Sequence, residues 1–296
     1  MLLYFDDQED CARRLAQAAG LMATCVDRHR FPDGEIKLRL PPQLPARVVV
    51  YRSLDNPNEK LLELMLLART ASALGAQHLT LVAPYMAYMR QDMAFTPGEA
   101  ISQQIVGQFL STIVHAIVSV DPHLHRVATL QELVPGADAV VLTGAEVLAD
   151  LIVQKRPNAL LIGPDAESKQ WITLAARRHG LDHSVCNKVR SGDRDVAVAL
   201  PAGDVSGRAV VILDDMASTG HTMAAAARLL RDAGAASIDA AVTHALFTPK
   251  AMDLMRDSGI GEVWSTDCIA HTSNAVHMAP LLADALAQLQ AAGPRG

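Results

Sequence analysis

The chain has 296 residues, enough for one large domain or two of ordinary size. Half of it is hydrophobic and a fifth charged, which permits a sizeable core and argues against long disorder. A formal net charge of −6 and a pI near 6.0 leave no basic face for a nucleic acid, yet they do not exclude small anions, which respond to local groups.

The N-terminus, MLLYFDDQEDCARRL, holds a short apolar patch that meets acids at Asp6, so neither a signal peptide nor a transit sequence is read there. No uncharged apolar run reaches the roughly 18 residues of a membrane span. Cys11, Cys25, Cys186 and Cys268 are scattered with no CxxC pair, which points to a reducing, cytoplasmic setting without a disulfide framework or zinc site. Strands then alternate with helices. RVVVYRSL precedes a helical NEKLLELMLLARTASALGA, HLTLVAPYM leads through a polar loop to a helical ISQQIVGQFLSTI, and AIVSVDPH is the next strand.

After residue 143 the rhythm resumes with GAEVLADLIVQK (helix), ALLIGPDA (strand), KQWITLAARRHG (helix), AVVILDDM (strand) and TMAAAARLLRDAGA (helix). SIDAAVTHALF, GEVWSTD and a helix from about Ala279 close the chain. This alternation predicts an α/β protein of mainly parallel sheets flanked by helices. Two similar domains are expected, 1–143 and 144–296, with the last helix free to pack back on the first. Each half holds an apolar strand running into aspartate, VSVDPH and VILDDM, which hints at an internal duplication.

In open α/β sheets ligands bind beyond the carboxyl ends of strands, which directs attention to VVILDDMASTGHTM at 210–223. A strand Val210–Leu213 is expected to leave Asp214 and Asp215 at its end, with Ser218, Thr219, Gly220, His221 and Thr222 turning into a helix near Thr222. Such a turn offers free N–H groups and hydroxyls to a monophosphate, although it is not the GxxxxGK[ST] loop. The aspartates would then hold sugar hydroxyls, directly or through a metal. A plain strand end with a capped helix is the bland alternative.

The same stretch resembles the phosphoribosyl-binding signature shared by type I phosphoribosyltransferases and ribose-phosphate pyrophosphokinases. Five further segments resemble the pyrophosphokinases, in that family's order: FPDGEIKLRL (31–40), YMRQDMAFTPGEAIS (88–102), VDPH (120–123), GPDAES (163–168) and NKVRSGD (187–193). The resemblance implies two phosphoribosyltransferase-type domains. It also implies transfer of the β,γ-diphosphoryl group of ATP to the anomeric hydroxyl of ribose 5-phosphate. By that resemblance Phe31, Asp33, Gly34 and Glu35 surround adenine, Arg90 and Gln91 contact ATP, and His123 reaches the magnesium nucleotide. Asp165, in the second-domain loop, is then a magnesium site, as is His123. Lys188 and Arg190 are catalytic, Arg190 also serving the ribose 5-phosphate site formed by Asp214, Asp215 and residues 218–222. A homo-oligomer, dimer or hexamer, with the ATP site shared between subunits is implied as well.

The chemistry suits these residue types. Phosphoryl-type transfer depends on positioning and on neutralising charge spread over phosphate oxygens, and Lys188 and Arg190, two apart, point to one side of an extended segment. Taken alone, Lys188 and Arg190 read as a solvated cationic pair, and Asp33 with Glu35 as a turn before the strand IKLRL. The chain departs from the family at His221, where a glycine is usual, and at Met93 and Ala94, where basic residues often follow RQD. Three other readings stay open: a phosphoribosyltransferase, a catalytically silent homologue that binds synthase subunits, and a pyrophosphokinase for another sugar phosphate.

Overall fold

The computed structural model describes residues 1–124, 126–190, 196–199 and 204–292. The chain divides into two units, Met1–Leu142 with Met278–Gly296, and Thr143–His277.

The first unit is built on β1 (Leu2–Tyr4), α1 (Glu9–Ala18), β2 (Ala23–Cys25), β3 (Asp27–Arg30), β4 (Ile36–Arg39), β5 (Arg47–Tyr51) and α2 (Pro57–Ala73). It continues through β6 (His78–Val82), α3 (Ser102–Ser111), β7 (Ala116–Val120), α4 (Leu130–Leu133) and β8 (Asp138–Leu142). Six strands form one parallel sheet in the order β2-β1-β5-β6-β7-β8, and β3 pairs with β4 as a separate antiparallel hairpin. Leu3, Val50, Leu81 and Ile117, one from each central strand, pack with Leu64, Leu67 and Ala71 of α2 and Leu110 of α3. The buried face of α2 follows the i, i+3, i+4, i+7 spacing of an amphipathic helix from Lys60, and it takes in Glu63 as well.

The second unit runs α5 (Ala145–Lys155), β9 (Leu160–Gly163), α6 (Lys169–His179), β10 (His183–Val185), β11 (Asn187–Arg190) and β12 (Val196–Ala199). β13 (Ala209–Ala217), α7 (His221–Asp232), β14 (Ser237–Ala245), α8 (Pro249–Asp257), β15 (Val263–Thr266) and β16 (Asn274–Val276) follow. Its parallel sheet has the order β10-β9-β13-β14-β15-β16, again with a two-stranded antiparallel pair, β11–β12, after the second strand. Along β13, Val210 and Ile212 pack in one cluster with α7, while Val211 and Leu213 pack in another with α5 and α6. A strand covered by helices on both faces must be apolar on both, hence the unbroken VVIL run.

The two sheets have the same strand order, so the duplication exists at the level of topology. The motif pair that suggested it is not equivalent, however. β13, which carries VILDD, stands where β5 stands in the first unit, whereas the VSVD strand β7 corresponds to β15. An aspartate after an apolar run is a common strand ending, and only the pairing order identifies counterparts. The final helix, α9 (Ala279–Ala292), belongs to the first unit, not to a second domain running to 296, and packs against α1, β7 and β8. Leu282, Ala285 and Leu286 are buried there. No helix among the described residues is long and apolar enough to cross a membrane.

Candidate active site

β13 is longer than the sequence suggested and includes both aspartates. Pairing with β9 stops at Ile212, but β14 is nine residues long and carries the ladder on, Asp214 opposite Val242 and Met216 opposite His244. Asp214 and Asp215 thus lie on a strand extension paired on one side, next to the point where the strand order reverses between β9 and β13. That is the ligand position in open α/β sheets. Asp215 is buried, Asp214 half-buried, and the Asp215 amide donates to Asp214 Oδ1 at 3.0 Å. Burial above all, then the charges of Asp215 and Asp165, push the Asp214 carboxyl well above the usual carboxylate range.

α7 begins at His221, directly after Gly220, whose φ of 73° lies in the left-handed region. A Cβ at 220 would stand 3.2 Å from both the Ala251 carbonyl oxygen and Met255 Cγ of α8, so glycine is required for conformation and for space. His221 is the first helical residue and is exposed. The position that demands glycine is 220, which explains how the chain accommodates histidine at 221. The first N–H groups of α7 have no intrahelical acceptor, the N-cap Gly220 has no side chain to cap them, and no acid stands in the first turn. With Ser218, Thr219 and Thr222 alongside, this end of the helix has the charge and donors for a phosphate.

Asp165 follows β9 and caps a 3-10 turn, its Oδ1 accepting from the Glu167 amide at 3.0 Å. Ser168 Oγ donates back to the Asp165 carbonyl at 2.6 Å. Gly163 lets this turn close, since a Cβ there would come 2.1 Å from Ser168 Oγ. Cys186 is fully buried near Asp165, and burial first, with that charge second, pushes its thiol up to about 11. Lys188 and Arg190 lie in β11, paired in register with Val198 and Val196. Their side chains, and residues 191–193 of the motif, lie outside the described residues.

In the first unit, Phe31–Glu35 forms the tip of the β3–β4 hairpin, the counterpart of the pair that carries Lys188 and Arg190. The Phe31 amide donates to the Glu35 carbonyl at 2.8 Å, the Gly34 amide to the Phe31 carbonyl at 3.0 Å, and the Glu35 amide to Asp33 Oδ1 at 3.1 Å. Gly34 takes a φ of 95°. Phe31 remains exposed, edge-on to His29 at 4.7 Å between centroids. An exposed aromatic on a tied turn is a surface a purine can stack on.

Sequence reasoning missed the hairpin's anchor. Arg28 of β3 binds Glu63 at 2.5 Å and Asp6 at 2.7 Å, and Arg52, just past β5, binds Asp7 at 2.7 Å and the same Glu63. No local pattern joins residues 28, 52 and 63.

Arg90 is exposed and Gln91 half-buried in the loop after β6, and His123 is half-buried after β7. Asp121, directly before Pro122, takes a φ of 37° and hangs by its amide from the Leu142 carbonyl at 2.9 Å. A strained residue held this way fixes the course of the VDPH turn.

The carboxylates of the second unit suit a hard cation: Asp215 and Asp165 act on Asp214 with like charge, and a bound cation or hydroxyl donor would relieve that repulsion. Among the described residues no group of three or more His, Cys, Asp or Glu side chains is placed to hold a metal. Magnesium there would therefore need phosphate oxygens and water in its shell. His123 lies in the first unit and Asp165 in the second.

Tandem six-stranded parallel sheets, each with a hairpin after the second strand and one with an acid pair beside an open helix N-terminus, define a two-domain protein of the phosphoribosyltransferase type. Residues 1–113 match the N-terminal domain of ribose phosphate pyrophosphokinase, and residues 194–291 match the phosphoribosyl synthetase-associated domain. The chain is 36% identical over 280 residues to a ribose-phosphate pyrophosphokinase of Methanopyrus kandleri, covering 94% of this chain and 95% of that one. It is 33% identical over 273 residues to ribose-phosphate pyrophosphokinase 2 of Archaeoglobus fulgidus, covering 92% and 95%. The crystal structure of phosphoribosylpyrophosphate synthetase from Mycobacterium smegmatis shares its fold, with a TM-score of 0.83 and 24% identity over 99% of each chain. The chain belongs to the ribose-phosphate pyrophosphokinase family.

Proposed function

We propose that the protein is an active, magnesium-dependent ribose-phosphate diphosphokinase. The observation that carries the reading is the β13–α7 junction, where an acid pair and an uncapped helix N-terminus follow one another at the switch point of a sheet in a chain of this family. The helix end and the hydroxyls of Ser218, Thr219 and Thr222 would bind the 5-phosphate, and Asp214 and Asp215 would accept hydrogen bonds from the ribose hydroxyls. The acids then need not face the phosphate, because they hold the other end of the same substrate.

The anomeric hydroxyl oxygen forms a bond to the β-phosphorus, the bond from that phosphorus to the α,β-bridging oxygen breaks, AMP leaves with that oxygen, and the hydroxyl proton is released. Lys188 and Arg190 stabilise charge on the migrating group as its geometry changes. Residues 31–35 of a neighbouring subunit, with Arg90, Gln91 and His123, hold the nucleotide. His123 in the first unit and Asp165 in the second would each be a magnesium contact, with phosphate oxygens and water completing the shell, and the metal would supply neutralisation of phosphate charge.

Purified protein given ribose 5-phosphate, ATP and Mg2+ should form AMP and phosphoribosyl pyrophosphate in equal amounts. Lys188→Ala should lower the rate by about 10²- to 10³-fold. Absence of both products from folded protein that binds ATP would instead support a silent homologue or another acceptor sugar.

A further inference from the structure

Gln103 is a buried polar residue that the motifs do not explain. It is the second residue of α3 and only 1% exposed, while its neighbour Gln104 is exposed. A buried amide is costly unless its polar atoms find partners. Its side-chain Nε2 donates to the Met89 carbonyl at 3.0 Å. Its backbone N–H, one of the first in the helix and so without an intrahelical acceptor, donates to the Gln91 carbonyl at 3.2 Å. One residue thus grips the two carbonyls that flank Arg90.

The other side of the same turn is held as well. Tyr88 takes a φ of 66°, unusual for a bulky residue, and its hydroxyl donates to Asn58 Oδ1 in the first turn of α2. Met89 is buried between these anchors. Further along, the exposed stretch 95–99 is tied to itself, Glu99 Oε2 accepting from the amides of Phe95 and Thr96. α3 is in turn fixed on α4, since a Cβ at Gly107 would stand 2.4 Å from the Leu133 carbonyl oxygen. α3 thus restrains the backbone on both sides of Arg90.

We propose that Gln103 is a positioning residue that presets Arg90 and Gln91 for the triphosphate of the nucleotide. This rests on the reading of Arg90 as a nucleotide contact. Gln103 touches no substrate and acts through the backbone on either side of Arg90. Removing its side-chain donor leaves the chain fold in place, frees the Met89 carbonyl and lets the backbone that carries Arg90 shift from the position that meets the phosphates.

The test is a double-mutant cycle between Gln103→Met, which keeps the length and loses the donor, and Arg90→Ala, with KM for ATP and for ribose 5-phosphate measured separately. Gln103→Met is expected to raise KM for ATP about tenfold with KM for ribose 5-phosphate unchanged. In the Arg90→Ala background it should have no further effect. Equal ATP affinity in Gln103→Met and wild type, or an undiminished effect of Gln103→Met without Arg90, overturns the proposal. If Arg90→Ala binds ATP as the wild type does, the nucleotide reading of the loop has failed, and the proposal falls with it. Should Gln103→Met not fold, Gln103→Leu takes its place, because it fills the buried site and cannot donate.

Discussion

Asp214 carries an energetic cost of the kind met at binding sites. Its native carboxyl keeps a proton to higher pH than in the unfolded chain, so the folded state binds more protons across that interval. Stability from this group is therefore unaffected below the ordinary carboxylate range and is lost as pH rises from there toward the raised native value. Asp214→Asn removes that loss. The ligand-free variant should melt higher than the wild type near pH 7.5, with the gap closing as pH falls to the ordinary carboxylate range. The same variant should bind ribose 5-phosphate more weakly. A lower melting temperature at neutral pH would mean that the carboxylate is stabilised by something other than its ligand. Cys186, with its thiol pushed up to about 11 and no exposure, is too basic and too enclosed for chemistry.

At the scale of elements, the β3–β4 hairpin is the clearest case of a candidate binding surface held by distant residues. Its strands expose most of their side chains, so the apolar core does little to place it. What holds it is Glu63 of α2, fully buried, which accepts from Arg28 of the hairpin and from Arg52 beside β5. Removing one partner of a buried charge pair leaves the other uncompensated and typically costs about 3 to 5 kcal/mol. Glu63→Ala should lose stability on that order in urea denaturation and should also raise KM for ATP, because residues 31–35 lose their footing. A variant with unchanged urea midpoint would show that solvent satisfies the two arginines. The β13–α7 junction is held differently, by a ladder with β14 and by contact with α8 at Gly220.

For the whole molecule, the duplicated topology gives two hairpins in equivalent places with different contents. One carries Phe31, Asp33 and Glu35, the other Lys188 and Arg190. If the first hairpin serves a neighbouring subunit and the second its own, two inactive variants should complement each other. Glu35→Ala spoils the neighbour's site and Lys188→Ala its own. A mixed dimer then has one intact site of two, and with random pairing roughly a quarter of wild-type activity should return on co-refolding equal amounts. No recovery, with mixed oligomers present, would place both hairpins at the same subunit's site.

The sequence by itself determined the α/β class, most strands and helices, and the segments that carry the chemistry, because period and motif are local properties of the chain. VVILDD announced a buried strand ending in acids, and STGHT announced the turn after it. Tertiary structure decided what depends on pairing between distant segments. The length of β13 was set by β14, not by its own hydrophobicity, which placed Asp214 and Asp215 within the ladder. The need for glycine fell on 220 rather than 221 because α8 approaches there. The equivalence of β13 with β5, and not with β7, emerged only from strand order. The charges at 28, 52 and 63, and the amide at 103, became a scaffold because folding removed them from water together, where each must find a partner or be paid for in desolvation.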